Sequence, residues 1–206
     1  MSDTRSHWDN VYTLKQPSEV SWYQPHLRVS FDLIVRAGVS RTDQIIDVGG
    51  GGSTLVDDLL DHDFQNITVL DISSKAIDIS RARLGTRAAL VNWVTDDVVH
   101  AALEHGRYRL WHDRAVLHFL TGENDRRAYI RQLRHAVRAG GSAIISTFST
   151  EGPEKCSGLT VRRYSPETLI AELGAGFRLT ESRLENHTTP SGTVQSFLYC
   201  LFSISG

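Results

Sequence analysis

A chain of 206 residues, 40% of them hydrophobic, is long enough to form one globular domain with a sizeable core. Its formal net charge of −2 gives no general electrostatic reason to bind nucleic acid or an anionic membrane. The sequence contains no apolar stretch typical of a secretion signal or a membrane-spanning helix, so we expect a cytoplasmic protein without a membrane partner.

The first half of the chain alternates helical and extended patterns. Apolar residues at helical spacing predict helices, and short β-branched runs that end at a glycine or an acid predict buried strands. In chain order the pattern predicts helices at 3–14 and 25–38, a strand at 43–50, a helix at 53–62 with Ser53 as N-cap, a strand at 66–73 and a helix at 73–85.

The second half continues this alternation and ends differently. It predicts a strand at 90–98, a strand from 108 that turns helical near Asp113 and ends at 120, a helix at 123–141 closed by two glycines, a strand at 142–149 and a helix at 165–174. Alternating segments then flank Ser191-Gly192 and predict a hairpin. The whole pattern predicts an α/β fold with a doubly wound, mostly parallel sheet and an antiparallel C-terminal hairpin.

The strongest functional signal is the segment DVGGGGS at Asp47–Ser53. A glycine-rich loop between a buried strand and a helix lets the backbone approach a ligand where a side chain would collide. Asp71 ends the next strand, where its carboxylate would meet the hydroxyls of an unphosphorylated ribose. Position 54 is not glycine, and an acid before the loop would repel a pyrophosphate, so the motif departs from dinucleotide sites and suits a ligand with an ammonium group.

These segments resemble the motifs of the class I S-adenosylmethionine-dependent methyltransferases, in order and at normal spacing. The resemblance covers nearly the whole chain and implies a seven-stranded sheet, a methyltransferase activity and S-adenosylmethionine as cofactor. It implies that DVGGGGS lines the methionine part of the cofactor with Asp47, Gly49 and Gly51, and that Ser53 is a further cofactor contact. In VLDIS, Asp71 would hold the ribose hydroxyls and Ile72 would pack on the adenine.

The resemblance also assigns the next two motifs. In NWVTDDV, an acid would accept a hydrogen bond from the adenine amino group; Asp97 is preferred over Asp96 by its spacing from Trp93, with Val98 beside it. HDRAVLHFL would lie at the end of the fourth strand beside the transferable methyl, with Asp113 among the cofactor contacts.

The N-terminal segment is rich in aromatic residues. Trp8 and Tyr12 form a W-x-x-x-Y pattern that is followed by Trp22 and Tyr23. The segment resembles the N-terminal lid of several small methyltransferases, including eukaryotic protein-lysine methyltransferases. One interpretation is that Trp8, Tyr12 and Trp22 close over the sulfonium through cation–π attraction, with Tyr23 on the acceptor side. The alternative is that the tryptophans anchor a helix on the sheet.

Candidates for the methyl acceptor follow the fourth and fifth strands. His118 is a candidate general base, with a structural histidine of the helix surface or core as the alternative. Arg114 could bind an anionic acceptor bidentately, or pair with Asp113 or a helix C-terminus. In the segment that follows the fifth strand, Cys156, Arg163 and Tyr164 are candidate acceptor contacts.

The spacing of histidines and cysteines gives no support for a metal site, and the two cysteines form no CxxC pair. We therefore expect one methyltransferase domain at 1–206, with a helical lid at 1–38 and a Rossmann-like core at 43–206, and no metal. The expected reaction is methyl transfer to a small-molecule amine, thiol, oxyanion or metalloid; the alternative is a protein-lysine methyltransferase. The charge and the missing Asn/Asp-Pro-Pro-aromatic motif disfavour nucleic acid as substrate.

Overall fold

The structure, a computed structural model, describes residues 2–205. Its helices and strands in chain order are α1 (Ser2–Leu14), α2 (Arg28–Arg36), β1 (Gln44–Val48), α3 (Leu55–Asp61), β2 (Asn66–Asp71), α4 (Ser74–Leu84), β3 (Val91–Thr95), β4 (Tyr108–Arg114), α5 (Glu123–Ala136), β5 (Val137–Phe148), β6 (Lys155–Cys156), β7 (Leu159–Thr160), α6 (Pro166–Leu173), β8 (Phe177–Thr188) and β9 (Val194–Ile204). Short 3₁₀ turns cover Pro17–Glu19, Gly85–Leu90 and Leu117–Phe119. Within the described residues, no helix is both long and apolar enough to cross a bilayer.

Seven strands form one sheet in the order β3-β2-β1-β4-β5-β9-β8. The strands from β3 to β5 are parallel, and β9 runs antiparallel to both β5 and β8. This confirms the predicted doubly wound sheet with its antiparallel C-terminal hairpin. The strand order reverses between β1 and β4, and in open α/β sheets ligands bind outside the carboxyl ends of the strands at such a point.

Each face of the sheet carries its own hydrophobic core, because successive side chains of a strand point to opposite faces. Along β1, Ile46 and Val48 join the core beneath α5 and α6, whereas Ile45 joins the core beneath α2 and α3. All three side chains are buried. The two cores hold β1 and β4 rigidly from both sides, which fixes the positions of the loops that leave their carboxyl ends.

The boundary between α5 and β5 differs from the prediction. The helix ends at Ala136, and β5 begins at once with Val137, so the two glycines lie inside the strand rather than closing the helix. Tyr108 pairs with Val137, but Leu110 pairs with Ser142, which makes a bulge in β5. Gly140 has a φ of +73° in this bulge, so the glycines serve the bulge instead of a helix cap.

Two other local predictions need correction. The helix predicted to start at Ser53 begins at Leu55, and Ser53 Oγ accepts a hydrogen bond from the Leu55 N–H at 3.1 Å instead of acting as N-cap. The strand β4 continues through Arg114, so the chain is still extended at Asp113 and only the 3₁₀ turn Leu117–Phe119 is helical.

A small hairpin made by β6 and β7 was not predicted. It is joined by Ser157 and Gly158, whose φ angles are +48° and +80°. A two-residue turn with both φ angles positive matches the right-handed twist of hairpin strands, which explains glycine at the second position. The hairpin follows β5 and places Cys156 and Leu159 beside the carboxyl ends of the parallel strands.

Candidate functional site

A cavity of about 500 Å³ lies at the carboxyl ends of the parallel strands, where the strand order reverses. Its walls come from the loops after β1, β2, β3 and β4, from the N-terminal segment and from the β6–β7 hairpin. Volumes of this size are typical of sites that enclose a small-molecule ligand or cofactor. Most of the predicted site residues line it: Trp8, Tyr12, Trp22, Tyr23, Asp47, Gly49, Ser53, Asp71, Ile72, Asp97, Val98, Arg114, His118 and Cys156.

The glycine loop after β1 has no room for side chains. Gly49 has a φ of +70°, and a Cβ there would collide with Val116 Cγ2. A Cβ on Gly50 would collide with the Asp47 carboxylate, and one on Gly52 would lie 2.6 Å from the Tyr12 ring. The loop is therefore a tightly packed backbone surface that closes one end of the cavity, as close approach to a ligand requires.

Asp47 is held on one side and free on the other. His112 Nδ1 lies 2.7 Å from Asp47 Oδ1, and His112 Nε2 lies 2.9 Å from Ser30 Oγ, so the buried ring fixes the carboxylate. Asp47 Oδ2 is buried without a hydrogen-bond partner among the described residues, and Asp47 lines the cavity. An unpaired buried carboxylate oxygen is costly unless a ligand donates to it, and an ammonium group does so well.

Asp71 ends β2 and also lines the cavity. Its Oδ2 accepts from the Gly51 N–H at 2.9 Å and its Oδ1 from the Ser73 N–H at 2.8 Å. Burial raises the pKa of Asp71 to about 6, and the carboxylates of Asp47 and Asp9 push it in the same direction. These bonds aim the carboxylate rigidly, and each oxygen retains a lone pair for a ligand hydroxyl.

The loop after β3 brings two acids to the cavity. Asp96 Oδ1 accepts from the Asp97 N–H at 2.8 Å, and Asp97 Oδ1 accepts from the Val99 N–H at 3.1 Å. Asp96 and Asp97 are both half-buried and both line the cavity. The geometry therefore leaves the choice between them open.

Aromatic side chains of the N-terminal segment cover the cavity from the other side. The Trp8 ring packs edge-on against Trp22 and Phe119, with centroids 6.0 and 4.9 Å away. The Tyr12 ring lies against Gly52 of the loop and 6.3 Å from the Trp22 ring. The segment is thus both packed against the protein and exposed to the cavity, and the two sequence interpretations of the tryptophans are compatible.

Arg114, the last residue of β4, ties this segment down. Its Nη1 donates to the Trp22 carbonyl at 2.9 Å and its Nε to Tyr199 Oη at 2.8 Å, while the guanidinium lies over the Phe197 ring at 4.5 Å. The predicted alternative, pairing with Asp113, is wrong because both oxygens of that carboxylate bond elsewhere. Arg114 Nη2 is buried without a partner among the described residues.

His118 is fully buried and lines the cavity. Its Nδ1 accepts a hydrogen bond from the Phe148 N–H at 3.3 Å. Burial lowers the pKa of His118 to about 3, and the nearby Arg114 charge adds to this. The neutral ring therefore carries its proton on Nε2, which has no partner among the described residues. This tautomer corrects the predicted role, since Nε2–H is a donor and not a base.

Four predicted site residues lie outside the cavity lining. Gly51 is turned towards Asp71 and α4, where a Cβ would lie 2.7 Å from Ala76 Cβ. Arg163 belongs to the surface, where it pairs with Glu154 at 3.0 Å. Tyr164 is buried in the core beneath α5 and α6.

Asp113, the fourth, organises the chain after β4. Its Oδ1 accepts from the Val116 N–H at 2.7 Å, and its Oδ2 accepts from the Leu117 N–H at 3.0 Å and from the Tyr129 hydroxyl at 2.5 Å. These bonds turn the backbone so sharply that Ala115 takes a φ of +76°. Asp113 therefore positions Arg114 and His118 and does not itself face the cavity.

Replacing Asp113 with alanine is expected to reduce the free energy of unfolding by about 1–3 kcal/mol, because three buried donors lose their acceptor. The loss is limited because burial also disfavours the ionised carboxylate and raises its pKa to about 6. Chemical denaturation measures the change. If S-adenosylhomocysteine affinity fell by more than stability accounts for, Asp113 would belong to the cofactor site after all.

Several cavity residues were not predicted. They are aromatic, aliphatic, hydroxyl or amide side chains that packing brings to the cavity: Gln24, Phe119, Phe148, Leu159, Thr160 and Phe197. Phe119 was within the quoted fourth motif, so its nearness to His118 could have suggested it. Gln24 directly follows Trp22 and Tyr23 in the segment before α2. The other four lie on β5, β7 and β9, which carry no motif of their own, and only the strand pairing reveals them. No group of three or more metal-binding side chains was found within residues 2–205.

A family model described as a methyltransferase domain matches residues 46–143. Among curated proteins, none matches this sequence. One similar solved structure concerns the conversion of a disulfide bond into a thioacetal group during echinomycin biosynthesis; it is 17% identical, with a TM-score of 0.78 over 98% of this chain and 93% of that chain. Another is the Burkholderia thailandensis 1,6-didemethyltoxoflavin-N1-methyltransferase with bound 1,6-didemethyltoxoflavin and S-adenosylhomocysteine, 17% identical, with a TM-score of 0.70 over 100% of this chain and 85% of that chain.

A third is a chain of the complex between the Haloferax volcanii Trm112 methyltransferase activator and a putative methyltransferase, 13% identical, with a TM-score of 0.76 over 98% of this chain and 97% of that chain. The family match spans the glycine loop and the three following motifs, and the fold similarity spans the chain. The protein has the class I methyltransferase fold. Residues 46–143 match a methyltransferase domain, and both comparisons agree with the S-adenosylmethionine-dependent methyltransferase that the sequence motifs predicted.

Proposed function

We propose that this enzyme methylates a small molecule inside the cavity. The observation that carries the proposal is the N-terminal segment that crosses the acceptor end. It is tied there at three points, by Arg114 to the Trp22 carbonyl, by Thr54 Oγ1 to the Gln24 carbonyl at 2.8 Å, and by His187 Nε2 at 2.7 Å from the Ser21 carbonyl. These contacts fix residues 20–24 as a roof over the cavity, and a fixed roof favours a small acceptor over a folded protein surface. The toxoflavin methyltransferase, which shares the fold, was solved with such a small molecule.

The cavity residues fit the cofactor in donor and acceptor chemistry. In our proposal the unpaired Asp47 Oδ2 accepts from the methionine ammonium group, Asp71 accepts from the ribose hydroxyls, Ile72 packs on the adenine, and Asp96 or Asp97 accepts from the adenine amino group. Gly49 and Ser53 supply backbone and hydroxyl contacts beside them. S-adenosylmethionine supplies a methyl group on a sulfonium, which an acceptor lone pair attacks while the carbon–sulfur bond breaks.

The remaining cavity residues orient the acceptor and exclude water. Trp8, Tyr12 and Trp22 present ring faces and edges above the glycine loop, where aromatic rings favour a nearby cation. Tyr23 and Cys156 face the cavity on the acceptor side in this proposal. Burial raises the pKa of the Cys156 thiol, which keeps it protonated and makes it a wall of the site rather than a nucleophile. Positioning and desolvation supply most of the acceleration of such a transfer.

We further propose that residues 1–38 act as a lid on a core at 43–206, all within one domain. Asp9 of α1 accepts from Ser73 Oγ at 2.6 Å, and its Oδ1 lies 3.4 Å from the Lys75 N–H at the start of α4. A carboxylate is favourable at a helix N-terminus, so this contact fastens the lid beside Asp71.

Replacing Asp9 with asparagine is expected to speed the release of S-adenosylhomocysteine by roughly three- to tenfold, because a charge-assisted hydrogen bond of about 1 kcal/mol is weakened. Stopped-flow fluorescence of the lid tryptophans measures the rate. Asn10→Ala, an exposed position on the same helix, is the matched control and should leave the rate unchanged. Equal effects of both changes would show that the lid has no special anchor at Asp9.

The function is tested by binding and by turnover. Calorimetry is expected to show binding of S-adenosylmethionine and S-adenosylhomocysteine and none of NAD, because an acid beside the loop repels a pyrophosphate. Methyl transfer from labelled cofactor to a library of small nucleophiles should exceed transfer to lysine-bearing peptides. Turnover of peptides alone would instead establish a protein-lysine methyltransferase.

A further inference from the structure

Two hydrogen-bond donors at the acceptor end of the cavity have no acceptor. They are Arg114 Nη2 and His118 Nε2, and both are buried without a partner among residues 2–205. Both residues line the cavity, and the Arg114 charge lowers the pKa of His118, so the two groups are close enough to interact. Within the same described residues, no carboxylate lies within 4.0 Å of the Arg114 guanidinium, whereas Arg83, Arg126, Arg163 and Arg183 each pair with one.

Burying these two donors destabilises the folded protein unless a ligand accepts hydrogen bonds from both. A buried donor without a partner costs the protein free energy, and an unpaired buried charge costs more. The other nitrogens of Arg114 are already committed to Trp22 and Tyr199, and His118 Nδ1 is committed to Phe148. Only Nη2 and Nε2 remain, and both call for a ligand atom that accepts hydrogen bonds without donating, with negative charge opposite the guanidinium.

The walls around these donors are aromatic. The Phe148 and Phe197 rings pack with centroids 4.8 Å apart, His118 packs against Phe119 at 4.4 Å, and Arg114 lies over Phe197. Flat apolar walls of this kind suit a flat apolar ligand, since aromatic rings pair well edge-to-face or offset. The two free donors and the aromatic walls together are complementary to a ligand with an aromatic ring and an oxyanion.

We propose that the methyl acceptor is a small aromatic compound bearing a carboxylate or another oxyanion, which is held between Arg114 Nη2 and His118 Nε2. The proposal rests on the proposed function, since it names the class of acceptor for the same cavity. It replaces the predicted base at His118 with a positioning donor. The oxyanion fixes the ring so that a nucleophilic atom elsewhere on the acceptor meets the methyl group.

The cofactor has a carboxylate of its own, which is the competing source of the same chemistry. The position of the two donors favours the acceptor. The cofactor acids Asp47 and Asp71 lie at β1 and β2, whereas Arg114 reaches across β5 to stack on Phe197 of β9, and His118 bonds to the backbone of β5. The donors therefore lie on the opposite side of the strand-order reversal from the cofactor acids.

The test titrates the full chain, loaded with S-adenosylhomocysteine, with benzoate and with benzamide. The two probes share a ring and differ in charge and in the donor of the amide. Benzoate is expected to bind at least about tenfold more tightly than benzamide, because a charge-assisted pair replaces a neutral contact. In His118→Phe and in Arg114→Gln this preference should fall to about twofold or less. His118→Gln, which can still accept from Phe148 and donate to the ligand, should retain most of it.

Each result has one consequence. Equal affinity of wild-type protein for both probes, or no binding of either, overturns the proposal. If Arg114→Gln weakens S-adenosylhomocysteine binding as much as benzoate binding, and His118→Phe leaves benzoate unaffected, the anion is the cofactor's carboxylate and the proposal fails. S-adenosylhomocysteine affinity unchanged in His118→Phe, with benzoate affinity reduced, supports it. Failure of the wild type to bind S-adenosylhomocysteine at the loading step would refute the proposed function instead.

Discussion

Replacing Asp71 with alanine is expected to weaken S-adenosylmethionine binding by about 2–4 kcal/mol, roughly a 30- to 1,000-fold rise in Kd. Asp71 is buried at the end of β2, its two oxygens are aimed by the Gly51 and Ser73 N–H groups, and it lines the cavity. The substitution removes two charge-assisted hydrogen bonds to the ribose that we assign to it, and water compensates only in part. Calorimetry measures the change.

Asp78→Ala provides the matched control, since Asp78 is an exposed acid on α4, one turn after the site. It should leave cofactor affinity unchanged, and Asp97→Ala should cost less than Asp71→Ala because one neutral donor is involved. Wild-type affinity in Asp71→Ala would show that the ribose lies elsewhere.

The raised pKa of Asp71 predicts that cofactor affinity depends on pH. The pKa of Asp71 in the unliganded fold is about 6, so below this pH the carboxyl is protonated and must lose its proton to accept from the ribose. Affinity should therefore fall by up to about tenfold per pH unit below 6, and Asp71→Ala should lose this dependence. The free energy of unfolding depends on pH in the opposite direction from cofactor affinity. Because the folded pKa lies above the unfolded value, the contribution of Asp71 to stability is present below about pH 4 and is lost as the pH rises through 6.

Gly49→Ala is expected to cost about 2–5 kcal/mol of stability and to reduce cofactor binding by more than tenfold. The added Cβ would occupy a left-handed backbone position, which costs about 1–2 kcal/mol, and would also collide with Val116 Cγ2 in a packed wall of the cavity, which costs about 1–3 kcal/mol more. Denaturant unfolding and calorimetry measure the two effects.

Gly38→Ala separates these causes. Gly38 has a φ of +65°, close to that of Gly49, but a Cβ there meets nothing within 4 Å. It should lose only the backbone cost, about 1–2 kcal/mol, and keep its cofactor affinity. Equal losses at both positions would mean that Val116 moves aside freely and that the loop is not tightly packed.

The half of the cavity that we assign to the cofactor was predictable in position because its signals are local. Each motif is a few residues at the end of one strand, and parallel strands bring those ends to one edge of the sheet, so Asp47, Asp71 and Asp97 meet as expected. The acceptor half was predictable only in part, because its wall joins segments that are far apart in sequence. Phe197 enters the site through the pairing of β9 with β5, which no local pattern reveals.

The errors at Asp113 and at the two glycines have a common physical origin. In each case a local rule was outweighed by tertiary hydrogen bonding. Gly140 and Gly141 satisfy the usual pattern of a helix end, but pairing with β4 draws Val137 into the sheet and leaves the glycines in a bulge. Asp113 has the residue type of a ligand contact, but its bonds to Val116 and Tyr129 are satisfied within the fold.

The roof over the acceptor joins the beginning of the chain to its end. Gln24 Nε2 lies 3.2 Å from Glu185 Oε1, and His187 Nε2 lies 2.7 Å from the Ser21 carbonyl. During synthesis the ribosome releases residues 20–24 long before β8. These residues therefore cannot form their contacts with Glu185 and His187 until nearly the whole chain has emerged. The glycine loop and the three acids, all between 47 and 97, can assemble earlier. We therefore expect a nascent chain to acquire cofactor affinity before it can enclose an acceptor, and protease protection of the roof to be the last event of folding.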